Sequence, residues 1–204
     1  MKKYFKTSWA SLFVVGCLAF SLTACLNDNE DNTKRITKEE VQQAYRTVAG
    51  LHTGKLVFPL SYPLTASTKT DSLDISWDVT SDSTLLIKQV PAKAFVPSVQ
   101  DNDVKNLLMK AKPQDLMCNI GFYSLMPVAF VMQPKILEYQ VENNGKKSKI
   151  EVLFYFNVRG AAGVYNVGKK RFLAQLVGGA VRVDGQLKTE FPHGLYLQLV
   201  EQKK

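Results

Sequence analysis

The sequence predicts a mainly β (α+β) fold: an antiparallel β-sandwich or partly closed barrel of about ten strands, with two short helices. Three observations carry this prediction. Apolar and polar residues alternate over 73–79, a two-residue turn signal stands at 144–145, and short apolar runs recur between turn residues. With 204 residues, 46% of them hydrophobic, the chain can bury the core of one domain.

Two segments have the pattern of short helices. Thr37 and Glu40 form a capping box, since the hydroxyl can accept from the Glu40 amide while the carboxylate reaches back. Apolar residues then recur at helical spacing up to Val48, and Gly50 suits the C-terminal stop. A second helix is predicted over 101–112, packed on an edge or end of the sheet.

Most of the remaining chain is predicted to form strands. The clearest is 73–79, whose odd-numbered residues are all apolar and define one buried face. Further strands are expected near 55–60, 84–90, 119–125, 128–133, 136–142, 149–158, 171–177, 180–187 and 195–201.

The turn signal Asn144-Gly145 fixes the register of one hairpin. On the core face it pairs Tyr139 with Ile150 and Leu137 with Val152. On the wet face the predicted pairs are Glu142–Lys147, Gln140–Lys149 and Glu138–Glu151.

The same register places three apolar side chains on the otherwise polar face of this hairpin. Ile136 lies opposite Leu153, and Tyr155 comes next along the strand. We expect the second helix to cover them. If they are not covered, Ile136, Leu153 and Tyr155 are the candidate ligand-binding residues.

The first 25 residues have the pattern of an export signal. Lys2, Lys3 and Lys6 precede an apolar run over 12–20 that is too short to span a bilayer. Residues 22–25 (LTAC) then resemble the bacterial lipobox. The resemblance implies cleavage after residue 24 and lipid attachment at Cys25, which would anchor the protein to a membrane. Plain secretion, with Cys25 incidental, is the alternative.

The predicted organisation is a lipoprotein signal peptide (1–24), a flexible acidic tether (25–36) and one β-rich domain (37–204). The acidic stretch resembles the export tag of Bacteroidota lipoproteins, which favours the outer membrane and the cell surface. Loss of the three signal-peptide lysines lowers the net charge from +8 to +5, a mild bias that gives no reason to expect a nucleic-acid partner.

The whole layout resembles uncharacterised lipoproteins of gut Bacteroidota, whose domains have no known function. The resemblance rests mainly on 44–56 (AYRTVAGLHTGKL) and 71–79 (DSLDISWDV). It implies a location and a fold, and it implies no activity.

Four features could carry chemistry, and each has a simpler interpretation. Residues 163–170 (GVYNVGKK) match a phosphate-binding loop except at Lys170, but the next segment looks like a strand, which favours a turn between strands. Glu138 and Glu151 could form a glycosidase pair, although two solvated acids on a sheet explain them as well. His52 and His193 are expected in loops, without metal partners.

The fourth feature is Cys118, the free thiol that remains once Cys17 leaves with the signal and Cys25 is lipidated. It stands in an apolar run and is expected to act as a small buried hydrophobe. No cofactor, no metal and no enzymatic activity are predicted.

The leading functional hypothesis is therefore a lipid-anchored, non-catalytic binding or accessory protein with a glycan, small-molecule or protein partner. The alternative is a structural or assembly protein of the envelope that acts through protein–protein contacts. Two minor hypotheses are a polysaccharide hydrolase and a calycin-like carrier, although 50–52 (GLH) lacks the tryptophan of the lipocalin signature.

Overall fold

A computed structural model of the chain describes residues 36–143, 145–158 and 160–201. These residues fall within one compact unit. The predicted signal peptide, Cys25 and the tether up to residue 35 lie outside the described part of the chain.

The described residues form two α-helices, two 3₁₀ turns and ten strands. In chain order they are α1 (Lys38–Val48), β1 (Gly50–Pro59), β2 (Thr70–Ser81), β3 (Thr84–Val90), the 3₁₀ turns Ala92–Ala94 and Val96–Ser98, α2 (Asn102–Lys110), β4 (Gln114–Leu125), β5 (Val128–Pro134), β6 (Leu137–Asn143), β7 (Lys146–Tyr155), β8 (Ala162–Asn166), β9 (Arg171–Val183) and β10 (Gln186–Glu201). Neither α-helix has the length and apolar character needed to cross a bilayer.

Eight antiparallel strands close into a barrel, which confirms the mainly β prediction and selects the barrel over the sandwich. The strand order is β10-β1-β2-β3-β4-β5-β8-β9, and β9 pairs with β10 to complete the ring. β7 and β6 extend the sheet from the second half of β9, outside the ring. Closure lets every barrel strand pair on both sides.

Closure brings the first and last strands into close contact at Gly54. A Cβ atom at this position would overlap the carbonyl of Val200 on β10. Only glycine therefore fits where β1 crosses its partner.

Helix α1 crosses one end of the barrel and confirms the predicted capping box. The Thr37 side chain accepts from the Glu40 amide, and Glu40 accepts from the Thr37 amide. Ala44 and Val48 are fully buried, and the Tyr45 hydroxyl donates to the carbonyl of Thr80 at 3.2 Å. We call this the helix end, where β1 begins, β2 ends and the β4–β5 and β8–β9 turns lie.

Aromatic side chains fill the barrel interior below α1. Trp77, Phe130 and Phe172 are fully buried. The ring centres of Trp77 and Phe172 lie 5.1 Å apart, and those of Phe130 and Phe172 lie 5.8 Å apart. Such tilted contacts add to the free energy gained by burying the rings.

The β6–β7 hairpin has the predicted register, with Glu138 opposite Glu151 and Tyr139 opposite Ile150. Tyr139 and Ile150 are fully buried on the core face. The predicted second helix is also confirmed as α2, with the Asp101 carboxylate as its N-cap.

Several details of the strand prediction were wrong. The predicted strand 180–187 contains the turn between β9 and β10, and β10 already begins at Gln186. The segment 171–183 is one continuous strand, whereas a break was expected between 177 and 180. Its glycines serve close contacts, since a Cβ on Gly178 would lie 3.3 Å from Leu195 Cβ and Gly179 lies under the Tyr155 ring. The short strand β8 was not predicted at all.

Candidate functional site

The outer surface of the sheet extension is the candidate site, because it combines an exposed aromatic ring with several charged groups. It lies on β6, β7 and the second half of β9, on the side opposite the core. We call it the contact face, and it consists of Ile136, Glu138, Lys149, Glu151, Leu153, Tyr155 and Arg182.

Tyr155 forms a flat platform at one end of the contact face. A Cβ on Gly179 would lie 3.3 to 3.4 Å from three adjacent carbons of the Tyr155 ring. Equal distances to three neighbouring carbons mean that the ring lies face-on to the glycine backbone. The side chain is nevertheless 39% exposed, so its other surface is open to solvent.

The candidate residues chosen from the sequence lie together at this end, but the expected cover is wrong. Ile136 is 51% exposed, Tyr155 is open and Leu153 is half-buried. The apolar residues of α2 pack into the core instead of over this patch. Phe156, which directly follows β7, is also exposed.

The charged end of the contact face is organised by one lysine. Lys149 Nζ lies 2.6 Å from Glu151 Oε1 and 3.5 Å from Glu138 Oε1. The hydrogen bond to Glu151, with further attraction from Glu138, raises the pKa of Lys149. Arg182 stands opposite Glu151 on β9 and adds a second cation.

This arrangement suits recognition better than acid–base chemistry. Both carboxylates of the pair accept from one ammonium group, whereas a glycosidase needs one of them as a protonated acid. A sheet face with an aromatic platform and flanking carboxylate, ammonium and guanidinium groups can stack one ring surface of a ligand and bind its hydroxyls.

The hairpin that carries the face is held in place by Asp184, in the β9–β10 turn. Its carboxylate accepts from the Lys149 amide at 2.8 Å, and its own amide donates to the Lys149 carbonyl at 2.8 Å. The Lys149 amide lowers the pKa of Asp184. The turn therefore fixes the position of β7 relative to β9.

A second polar cluster lies inside the helix end. His52 is in β1, so the prediction of a loop was wrong, and its Nδ1 lies 2.9 Å from Glu201 Oε1. Its Nε2 lies 2.9 Å from the Val48 carbonyl. Glu201 also accepts from the Phe172 amide at 2.8 Å. The cluster joins α1 to three barrel strands.

The other candidate residues from the sequence lie within strands, where their contacts are structural. His193 is within β10, not in a loop, and its amide donates to the Tyr62 hydroxyl. Cys118 is fully buried, as expected, and burial raises the pKa of its thiol. Among the described residues, no group of three or more His, Cys, Asp or Glu could hold a metal ion.

Residues 163–170 form the end of β8 and a turn into β9, which confirms the turn-between-strands interpretation. A Cβ on Gly163 would overlap the Phe130 ring, so this glycine serves core packing. The Asn166 side chain accepts from the Lys169 amide within the turn.

An open groove of about 360 Å³ on the outer wall is a weaker candidate. It is lined by Thr53, Gly54, Asp74, Ile75, Ser76, Lys88 and Gln89. Its charges are already paired, since Asp74 binds Lys55 at 2.6 Å and Lys88 binds Asp78 at 3.8 Å.

Sequence reasoning found the three apolar residues of the contact face and missed the role of Gly179. The adjacent glycines at 178–179 fall in the break expected between two strands, although glycine within a strand also marks a close approach to backbone. Arg182 was missed because its position opposite Glu151 depends on the β7–β9 pairing, which joins distant segments.

Comparison with known proteins identifies a family whose function is unknown. No curated protein and no solved structure matches the chain. A family model described as "Domain of unknown function (DUF4840)" matches residues 47–183, which include most of the barrel and the β6–β7 hairpin. On this match, which covers more than half of its length, the chain belongs to the DUF4840 family.

Proposed function

We propose that this protein is a lipid-anchored, non-catalytic binding protein of the bacterial cell envelope, and that its contact face binds a glycan. The observation that carries the proposal is the Tyr155 ring, which is fixed on Gly179 with its other surface exposed. A rigid aromatic ring can stack on the apolar face of a sugar with little loss of conformational entropy.

The charged residues support a glycan over a purely apolar ligand. Glu138, Lys149 and Arg182 offer donors and acceptors to hydroxyl groups on the same sheet surface. Tyr155 and Glu151 are four residues apart on β7, a separation of about 13 Å along a strand. This length suits a chain of sugar units better than a single small molecule.

The filled interior of the barrel supports a binding site on the outer surface of the protein. Trp77, Phe130 and Phe172 occupy the space in which a calycin-like carrier would hold its ligand. The Lys149 bridge argues against the hydrolase hypothesis for the same face.

The proposed lipid attachment is supported by features of the sequence. The lysines at positions 2, 3 and 6, the apolar run over 12–20 and the residues LTAC at 22–25 support export and lipid attachment at Cys25. The acidic residues that follow support the outer membrane and the cell surface as the location.

The binding proposal is tested with Tyr155→Ala on a polysaccharide and oligosaccharide array. We expect about tenfold weaker binding of any glycan retained by the native protein, since stacking on one aromatic ring is lost. Tyr123→Ala is the matched control, because Tyr123 is also half-exposed but lies on β4. No retained glycan, or equal loss in both variants, would refute the proposal.

The anchor is tested separately with Cys25→Ala in cells that process lipoproteins. The variant should lose metabolic palmitate labelling and accumulate as an unprocessed precursor. Labelling equal to that of the native protein would show that Cys25 carries no lipid.

One observation favours an assembly protein as the second candidate. In the described sheet, β6 is the terminal strand and pairs with β7 alone. A terminal strand can accept a strand from another protein. Crosslinking in intact cells from a photoreactive residue at Gln140 would identify such a partner, and crosslinks to glycan-free protein would favour assembly.

A further inference from the structure

One wall of the barrel is almost free of carboxylates. Neither Asp nor Glu occurs within 116–137 or 152–183. These segments supply most of β4 and all of β5, β8 and β9, which are neighbours in the barrel. Apart from Asp115, which lies at the far end of β4 from α1, the four adjacent strands therefore carry no negative side chain.

The same wall exposes apolar side chains near the helix end. Tyr123, Val131 and Leu173 lie on the outer surface of β4, β5 and β9 and are 38 to 48% exposed. Met126 and Val167 project from the two turns that follow β4 and β8, and Met126 is 88% exposed. We call these five residues, with Lys169, Lys170 and Arg171, the acid-free wall.

Strand pairing places the two turns side by side. Val128 pairs with Leu125 across the first turn and with Tyr165 on β8. Arg171 pairs with Asn166 across the second turn. The three basic residues of the second turn are all exposed, and this pairing places their turn beside the one that contains Met126.

The chain enters the barrel at this same end. Helix α1 contacts β2, β4 and β5, and Ile36 directly precedes its N-cap, Thr37. Ile36 lies only 11 positions after Cys25, and a chain of that length with random-coil dimensions would span roughly 20 Å. If lipid is attached at Cys25, the helix end cannot move far from the bilayer.

We propose that the acid-free wall lies against the membrane to which the protein is anchored, an inference that rests on the proposed lipid at Cys25. Met126, Val167 and the Tyr123 ring would enter the interfacial region, where apolar and aromatic side chains are favourable. Lys169, Lys170 and Arg171 would contact lipid phosphates, as clusters of basic residues do on anionic membranes.

Strand β9 connects the acid-free wall to the contact face. β9 begins at the helix end with Arg171 and passes under the Tyr155 ring at Gly179, eight residues and about 26 Å further along the strand. It reaches Arg182 three residues later. The contact face would then lie toward the opposite end of β9 from the residues that contact lipid.

The test measures the depth of a label in the lipidated full chain. A fluorescent dye is attached at Met126→Cys, and the control label is at Leu187→Cys, which is exposed at the opposite end of the molecule. Buried Cys118 does not compete for the dye. In phosphatidylcholine vesicles with phosphatidylglycerol, a nitroxide lipid should quench the label at 126 and leave the label at 187 bright.

A charge variant tests the basic residues. Lys169→Glu with Lys170→Glu should reduce the docked population at least tenfold on the anionic vesicles, since each lysine contributes about fivefold. The control pair Lys146→Glu with Lys147→Glu lies in the β6–β7 turn and should not change the quenching.

The outcomes separate docking from anchoring. Mass spectrometry of the same sample shows whether Cys25 is acylated, and an unmodified Cys25 would overturn both proposals. An acylated protein that floats with the vesicles and shows equal quenching at both labels would overturn docking alone. Burial of the 126 label through concentration-dependent self-association, without quenching, would assign the wall to a second copy and also overturn docking.

Discussion

The two ends of the molecule use aromatic residues in opposite ways. At the helix end, Trp77 and Phe172 pack against each other beneath α1 and are fully buried. On the contact face, Tyr155 rests on the backbone at Gly179 and keeps one ring surface open. The comparison shows that an aromatic ring contributes to folding where side chains surround it and is available for recognition where only one side is covered.

The largest expected effect comes from truncating the buried ring. Trp77→Ala should lower the free energy of unfolding by about 3 to 5 kcal/mol, because the transfer free energy is lost and a cavity remains. Tyr155→Ala should lower it by less than about 1 kcal/mol, since the ring has contacts on one side. Urea denaturation of both variants measures the difference, and equal losses would contradict the comparison.

Substituting alanine for each of the two glycines of the phosphate-loop pattern should lower stability by very different amounts. Gly163→Ala should cost about 1 to 3 kcal/mol of stability, since its methyl group would displace the Phe130 ring. Gly168→Ala is the control, because the nearest atom to its Cβ would be 3.7 Å away, in Asn166. Thermal denaturation tests this, and a destabilised Gly168 variant would show that the turn is more constrained than its contacts indicate.

A smaller effect is expected where β6 joins the barrel. The buried Tyr139 hydroxyl donates to the Val90 carbonyl at 3.2 Å, and burial raises the pKa of Tyr139. Tyr139→Phe should cost about 1 kcal/mol, the net value of one hydrogen bond. Tyr123→Phe, on the exposed barrel wall, should leave the unfolding free energy unchanged in the same denaturation experiment.

The smallest effect is a local pH dependence at the contact face. The pKa of Asp184 is lowered in the folded protein, so its contribution to stability is complete above its unfolded value and is lost as pH falls through the folded value. Below about pH 4, exchange of the Lys149 amide should therefore accelerate. Asp184→Asn should remove this pH dependence, and hydrogen exchange followed by NMR measures it.

Local patterns predicted most of the helices and strands. The features that they could not predict depend on contacts between distant segments of the chain. The capping box at 37–40 and the turn at 144–145 each depend on a few neighbouring residues, so the sequence contains the whole signal. Barrel closure depends on Gly54 meeting Val200, residues almost 150 positions apart. The contact of His52 with Glu201 likewise appears only once β1 and β10 are adjacent.

The same distinction between local and long-range signals applies to the candidate site. Register alone placed Leu153 and Glu151 on one face, since alternation is a local property of strands. Whether a helix covers that face depends on where α2 packs, and no periodicity in 101–112 specifies its partner. Exposure of Tyr155 was therefore beyond sequence reasoning, although the residue itself was identified.

Because β10 supplies both β1 and β9 with a neighbour, the ring stays incomplete until the last sixteen-residue strand has left the ribosome. A nascent chain that lacks this strand has two open edges and an uncovered set of apolar side chains. Synthesis from the N-terminus thus delays native closure until β10 has been made.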